Sequence, residues 1–125
     1  MKTNITHRPL IFAHRGAKRV APENTVPAFE AAIRLGADGI ELDVQYSSDG
    51  RLVIFHDFAL EKTSNGTGRV SAHTIAELRG MDAGSYFSPE FAGVRIPTLD
   101  DALDVAAGKL LVNIEEIATR RLDDV

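Results

Sequence analysis

Gly39-Ile40-Glu41-Leu42-Asp43-Val44-Gln45 is the stretch on which the fold turns. Side chains of an extended chain alternate between two faces. Ile40, Leu42 and Val44 therefore share one face, and Glu41 and Asp43 share the other. The run ends at Ser47-Ser48-Asp49-Gly50, a cluster of turn formers. Leu52 to His56 follows at once as a second extended run. The short Asp-Gly link predicts a hairpin-like return, not a helical crossover.

Upstream, Leu10 to His14 is a short apolar run between Pro9 and Gly16, and it reads as a buried strand. Asn24-Thr25 offers an N-cap, and Pro27 sits in a first turn, where a missing N–H costs nothing. Val26, Phe29, Ala32 and Ile33 fall on one helical face, with Gly36 as the stop. Downstream, residues 57 to 97 show little periodicity and read as a long loop or small excursion. One short helix is expected there at Ile75 to Arg79, with Thr74 and Glu77 as a capping box. Regular structure resumes at Pro97. Thr98 caps a helix striped with Leu99, Ala102, Leu103 and Ala106, and Gly108 ends it. Leu110 to Glu115 reads as another buried strand, and Ile117 to Val125 as the start of a helix. Strands alternating with helices indicate a parallel α/β sheet. Two or three such units amount to half of a (β/α)8 barrel, which takes roughly 250 residues.

The 125 residues suit one domain. A formal net charge of -4 offers no global attraction to nucleic acid or to an anionic membrane, so phosphate chemistry must come from local features. The absence of cysteine excludes disulfides, thiolate metal sites and a Cys nucleophile. Met1 to Pro9 lacks the apolar core of a signal peptide, and no apolar run is long enough for stable membrane insertion. A cytoplasmic location is the expectation.

Glu41 and Asp43, side by side in an apolar strand, need a cation nearby. That cation is either a core Lys or Arg, or a divalent metal with oxygen ligands. Asn113 and Glu115 repeat the pattern, and Glu115 falls at the carboxyl end of its strand, where barrels build their active sites. Three such carboxylates favour a Mg²⁺- or Ca²⁺-type site. His14 and His56 each close a strand beside them, suited to acid–base work near neutral pH. Arg15 can grip an anion bidentately, and Gly16 permits close backbone approach. Metal, arginine and two imidazoles describe phosphoryl transfer. Glu23-Asn24 reads more simply as a cap and a solvated acid. Asp100, Asp101, Asp123 and Asp124 read as solvated helix charges, and His7 and His73 as surface residues.

His14-Arg15-Gly16, Pro22-Glu23-Asn24-Thr25, Glu41-Leu42-Asp43-Val44, His56-Asp57 and Asn113-Ile114-Glu115 together resemble the glycerophosphodiester phosphodiesterases. Thr63 to Gly68 and Ile96-Pro97-Thr98-Leu99 add to the likeness. The resemblance implies that residues 1–125 are the N-terminal half of a TIM-barrel domain with a small insertion after the second strand, at about 57–97. It implies metal-dependent hydrolysis of small-molecule glycerophosphodiesters to an alcohol and glycerol 3-phosphate. His14 and His56 would be the acid–base pair, Glu41, Asp43 and Glu115 the ligands of Mg²⁺ or Ca²⁺, and Arg15 the phosphate grip. Glu23 would then lie in the site and bind substrate. One departure stands out: Ile117 replaces the Lys that usually follows the family's Asn-x-Glu motif. A half-barrel leaves a strand edge open, which self-association could cover. Two other readings stay open: a phospholipase D-like relative, and a truncated, non-catalytic half-barrel that binds metal or a partner.

Overall fold

The computed structural model describes residues 8–117. The expectations for His7, Asp123, Asp124 and the stretch 118–125 lie outside the described residues. Among the described residues the chain runs β1 (Phe12–His14), α1 (Val26–Arg34), β2 (Gly39–Tyr46), β3 (Leu52–Ile54), α2 (Ile75–Arg79), α3 (Leu99–Ala106) and β4 (Leu111–Glu116). Short 3₁₀ turns at Val70–Ala72 and Pro89–Phe91 lie between β3 and α3.

β2 is the axis of the sheet. β1 and β4 flank it, both parallel, and β3 folds back antiparallel on its last residues. Parallel neighbours require a crossover, and α1 supplies the one from β1 to β2. The helix is rich in alanine, with Pro27 in its first turn, and it buries Ala28, Phe29, Ala31 and Ala32. These small side chains let the β1–α1 loop approach closely. A Cβ on Gly16 would lie 2.8 Å from the Ala28 Cβ, and Gly16 has a φ of +79°. Any side chain there would collide and strain the backbone.

Phe29 and Ala32 pack with Ile40, Leu42, Val44, Ile54 and Ala102 in the main core. A second core lies beneath the excursion, built from Val53, Phe55, Leu60, Val70, Leu78, Ala83 and Ile96. Residues 57–97 are therefore a small packed unit, not a loose loop, and they leave the sheet after the hairpin strand β3. Isolated bridges Ala59↔Arg69 and Asp82↔Arg95 close its turns, and Val53↔Thr98 returns the chain to the sheet. Its lack of periodicity follows from a core assembled from turns.

The helix at Ile75–Arg79 forms as expected, with both halves of the Thr74–Glu77 capping box made. Thr98 and Asp101 make a second capping box on α3. This corrects the reading of Asp101 as solvated: it holds the Thr98 N–H and pairs with Arg79 at 2.7 Å. Burial pushes the Asp101 carboxyl up, but the Thr98 N–H and the Arg79 guanidinium outweigh it and hold it below the usual range.

The two outer strands depart from expectation. The apolar run Leu10 to His14 predicts a buried strand, yet Leu10, Ile11 and Phe12 are exposed, Ile11 by 63%. Leu110 to Glu115 predicts burial too, yet Leu111 and Ile114 are open to solvent. Among the described residues, each of these strands pairs with β2 alone. Among the described residues, no helix is long and apolar enough to cross a membrane.

Candidate active site

The parallel register builds the site. His14 pairs with Glu41, Glu41 with Asn113, and Asp43 with Glu115. Residues in register on adjacent parallel strands share a face. His14, Glu41 and Asn113 thus form one row, and Asp43 and Glu115 the next. Strands lie about 4.8 Å apart and alternate residues about 6.6 Å apart. The first row falls at the carboxyl end of β1 and the second just beyond it, while on β2 the two rows take the third and fifth of its eight residues.

The β1–α1 loop holds its own charges. Arg15 and Asn24 both adopt left-handed backbone, with φ of 59° and 56°. For arginine this costs roughly 1–2 kcal/mol, and such strain concentrates at functional sites. The turn is closed by the Asn24 N–H donating to the Arg15 carbonyl at 2.9 Å. It buries Asn24, whose Nδ2 donates to Asp43 Oδ2 at 3.0 Å. Asn24 is therefore not the helix cap expected of it. Thr25 takes that position, and its hydroxyl donates to the Pro22 carbonyl instead.

Arg15 Nη1 lies 3.3 Å from Glu23 Oε1, and Arg15 Nε lies 3.5 Å from Asp43 Oδ2. The second contact is an ion pair without hydrogen-bond geometry, so the Nε donor has no hydrogen-bond partner. Glu23 is thus no solvated acid. Its own N–H donates to the Tyr86 hydroxyl at 3.2 Å, a contact made by the excursion. Burial, and then the Glu23 charge, push the Tyr86 phenol above its ordinary value.

The two histidines are held in opposite senses. Lys18 Nζ lies 2.9 Å from His14 Nδ1, and an ammonium can only donate, so Nδ1 accepts. His14 Nε2 then carries the proton it gives to Glu41 Oε1 at 2.9 Å. At His56, Nδ1 lies 2.7 Å from Asp57 Oδ1. An ionised carboxylate only accepts, so Nδ1 carries the proton and Nε2 is left as the acceptor.

Eight sequence candidates thus gather on one face or at its rim: His14, Arg15, Glu23, Glu41, Asp43, His56, Asn113 and Glu115. Their side chains do not converge on a common point. Among the described residues, no group of three or more His, Asp and Glu side chains is placed to hold a metal ion. Glu41 is turned to His14, and Asp43 to Asn24 and Arg15. His73 is only half buried and sits on the Thr67 carbonyl at 2.8 Å, away from these rows. Sequence reasoning missed Asn24 as an Asp43 partner, along with Lys18, Gln45 and Tyr86. Gln45 alone left a signal, as the third step of the Glu41-Asp43 alternation. The others depend on contacts between distant or strained segments.

Parallel strands that carry carboxylates and an imidazole on one face, with an arginine beside them, are part of a TIM-barrel fold, the class to which the solved structures that superpose on this chain belong. Residues 14–120 match the glycerophosphoryl diester phosphodiesterase family. The chain belongs to that family. It is 50% identical over 109 residues to a glycerophosphodiester phosphodiesterase of Caldanaerobacter subterraneus, covering 86% of this chain and 45% of that protein. A solved glycerophosphodiester phosphodiesterase from Agrobacterium tumefaciens superposes with a TM-score of 0.85 at 45% identity, over 87% of this chain and 47% of that one. An Oleispira antarctica phosphodiesterase, solved with its product sn-glycerol-3-phosphate, superposes with a TM-score of 0.85 at 38% identity, over 90% of this chain and 46% of that one. The chain spans about half the length of these relatives.

Proposed function

We propose that this chain carries the acid–base and metal-binding residues of a glycerophosphodiester phosphodiesterase, which splits its substrate into an alcohol and sn-glycerol 3-phosphate. The observation that carries the reading is the register that sets His14, Glu41, Asp43, Asn113 and Glu115 in adjacent rows. It agrees with the names of the relatives and with the product bound in the Oleispira protein.

Glu41, Asp43 and Glu115 are the proposed ligands of a divalent cation. The donor set fits: all three offer hard carboxylate oxygens, which suit Mg²⁺ or Ca²⁺. Beside Asp43, the buried Asn24 Oδ1 has no hydrogen-bond partner, and a cation or its hydration shell would supply one. When bound, the metal would neutralise non-bridging phosphate oxygens. Arg15, held by Glu23 and Asp43, presents its guanidinium to the phosphate and fixes its orientation. His56 Nε2 is open to take or give a proton. His14 becomes available at Nε2 only when Glu41 releases it. One imidazole removes the proton of the attacking oxygen as the new P–O bond forms. The other protonates the departing alkoxide as the old P–O bond breaks. Lys18 stands at the rim and supplies a cation on a site that lacks one at Ile117.

Three strands run parallel among the described residues, and a closed barrel of this type has eight. Self-association through the outer edges of β1 and β4 would cover exposed apolar surface. Two copies would supply six parallel strands from their described residues, against the eight of a closed barrel. The test is release of glycerol 3-phosphate from glycerophosphocholine by the purified chain, with Mg²⁺, Ca²⁺ or EDTA. Metal-dependent release that disappears in His14→Ala and Glu41→Gln is expected. Metal binding without release in any condition would sink catalysis by this chain and favour a non-catalytic, metal-binding half-barrel.

A further inference from the structure

We propose that Gln45 is the positioning residue for His56. The inference rests on His56 being one of the proton-transfer groups proposed above. Gln45 is the third residue of the Glu41, Asp43, Gln45 face, and its side chain is fully buried, at 0% exposure. Its Nε2 donates to the Phe55 carbonyl at 2.8 Å and to the Asp57 carbonyl at 2.7 Å. Both partners can only accept, so the orientation of the carboxamide is forced.

Those two carbonyls bracket His56. β3 ends at Ile54, and the nearest sheet-like bond beyond it runs from the Phe55 N–H to the Asp43 carbonyl at 3.0 Å. Past that point the carboxamide replaces the lost ladder. It also holds the backbone of Asp57, whose carboxylate fixes the His56 ring. One side chain thus sets both the backbone of His56 and the partner that chooses its tautomer. It is anchored on the strand that carries Glu41 and Asp43, so imidazole and carboxylates share one rigid support.

The simpler reading is a buried glutamine that merely satisfies two carbonyls. Against it stands Gln45 Oε1, which is buried with no hydrogen-bond partner. Buried polar atoms are nearly always paired, and local rules are broken chiefly at functional sites.

The test begins on the wild-type chain by NMR. The Gln45 side-chain amide protons should exchange slowly, and the His56 ring should show Nδ1 protonated. In Gln45→Met, which keeps length but removes the donors, the His56 signals should collapse toward a tautomer average while His73 is unchanged. Phosphodiesterase kcat should fall by at least about tenfold with KM within about twofold, because orientation and not binding is lost. Gln45→Glu, of nearly the same shape, should do the same, because a carboxyl has at most one donor for two carbonyls where the amide has two. A folded Gln45→Met with unaltered His56 signals and kcat would overturn the proposal. So would rapid exchange of the wild-type Gln45 amide, which decides the matter even if both variants fail to fold. A wild-type chain without activity, whose His56 tautomer is nonetheless lost in Gln45→Met, supports the positioning role and overturns the catalytic reading of this chain.

Discussion

β2 and β4 run side by side in register and carry the same alternation of polar and apolar residues, yet they end in opposite environments. Leu42 faces Ile114 across the ladder, and Asp43 faces Glu115. Leu42 is 0% exposed and Asp43 1%, whereas Ile114 is 44% exposed. The alternation tells which side chains share a face. Burial depends on what lies beyond that face and on how many neighbours a strand has. β2 has a strand on each side and helices α1 and α3 against its apolar face. Among the described residues, β4 has only β2 as a strand neighbour.

The contrast can be broken by paired substitutions. The largest difference is expected between Leu42→Ala and Ile114→Ala. The first opens a cavity in the main core and should cost roughly 2–5 kcal/mol. The second should stay within about 0.5 kcal/mol. Urea unfolding of both variants measures it, and equal losses would mean that β4 is covered in solution. Asp43→Ala against Glu115→Ala comes next. Loss of Asp43 leaves the buried Asn24 amide without its acceptor and Arg15 with Glu23 as its remaining carboxylate, at a cost of about 1–3 kcal/mol. Loss of Glu115 should barely move stability. Both should abolish Mg²⁺ or Ca²⁺ binding in a calorimetric titration, so stability and metal binding separate the two strands.

A smaller effect sharpens the same lesson on neighbouring acids of α3. Asp101→Ala removes a cap and an ion pair and should cost about 1 kcal/mol by thermal melting, while Asp100→Ala should cost almost nothing. The Asp101 carboxyl is held below its ordinary value. Its contribution is therefore present above the unfolded carboxylate pKa, near about 4, and is lost as pH falls through the lower folded value. The acid limb of the melting curve should flatten in Asp101→Ala. Asp82 behaves alike, held well below the usual range by the Ser85 hydroxyl and the amides of Ser85, Gly93 and Gly84.

The smallest effect concerns Tyr86. Its phenol is raised by burial and by Glu23, so the folded state keeps its proton longer. That contribution is intact below the ordinary tyrosine pKa and disappears as pH rises through the higher folded value. Glu23→Gln should lower the Tyr86 titration midpoint in ultraviolet absorbance. An unmoved midpoint would break the contact between the excursion and the β1–α1 loop.

Much of the site is legible in the chain because strand periodicity is local. Glu41 and Asp43, or Asn113 and Glu115, are two residues apart, and no other segment is needed to align them. The caps at Thr74 and Thr98 are legible for the same reason, each being closed within three residues. Asp101 reads as solvated in the sequence because its second partner, Arg79, lies on another helix. Asn24 reads as a cap because its left-handed backbone is imposed by the closed Arg15–Asn24 turn. The excursion looks structureless because its core comes from single residues spaced along turns.

By itself the sequence determined which residues share a face, where helices start and which chemistry the strand ends carry, since these follow from chain stereochemistry over a few residues. Only the tertiary structure decided that Asp43 is buried and Glu115 exposed, that Lys18 and Asp57 set opposite tautomers on the two histidines, and that Gln45 spans His56. Those outcomes depend on which distant segments meet, and on how much solvent remains between charges once they do.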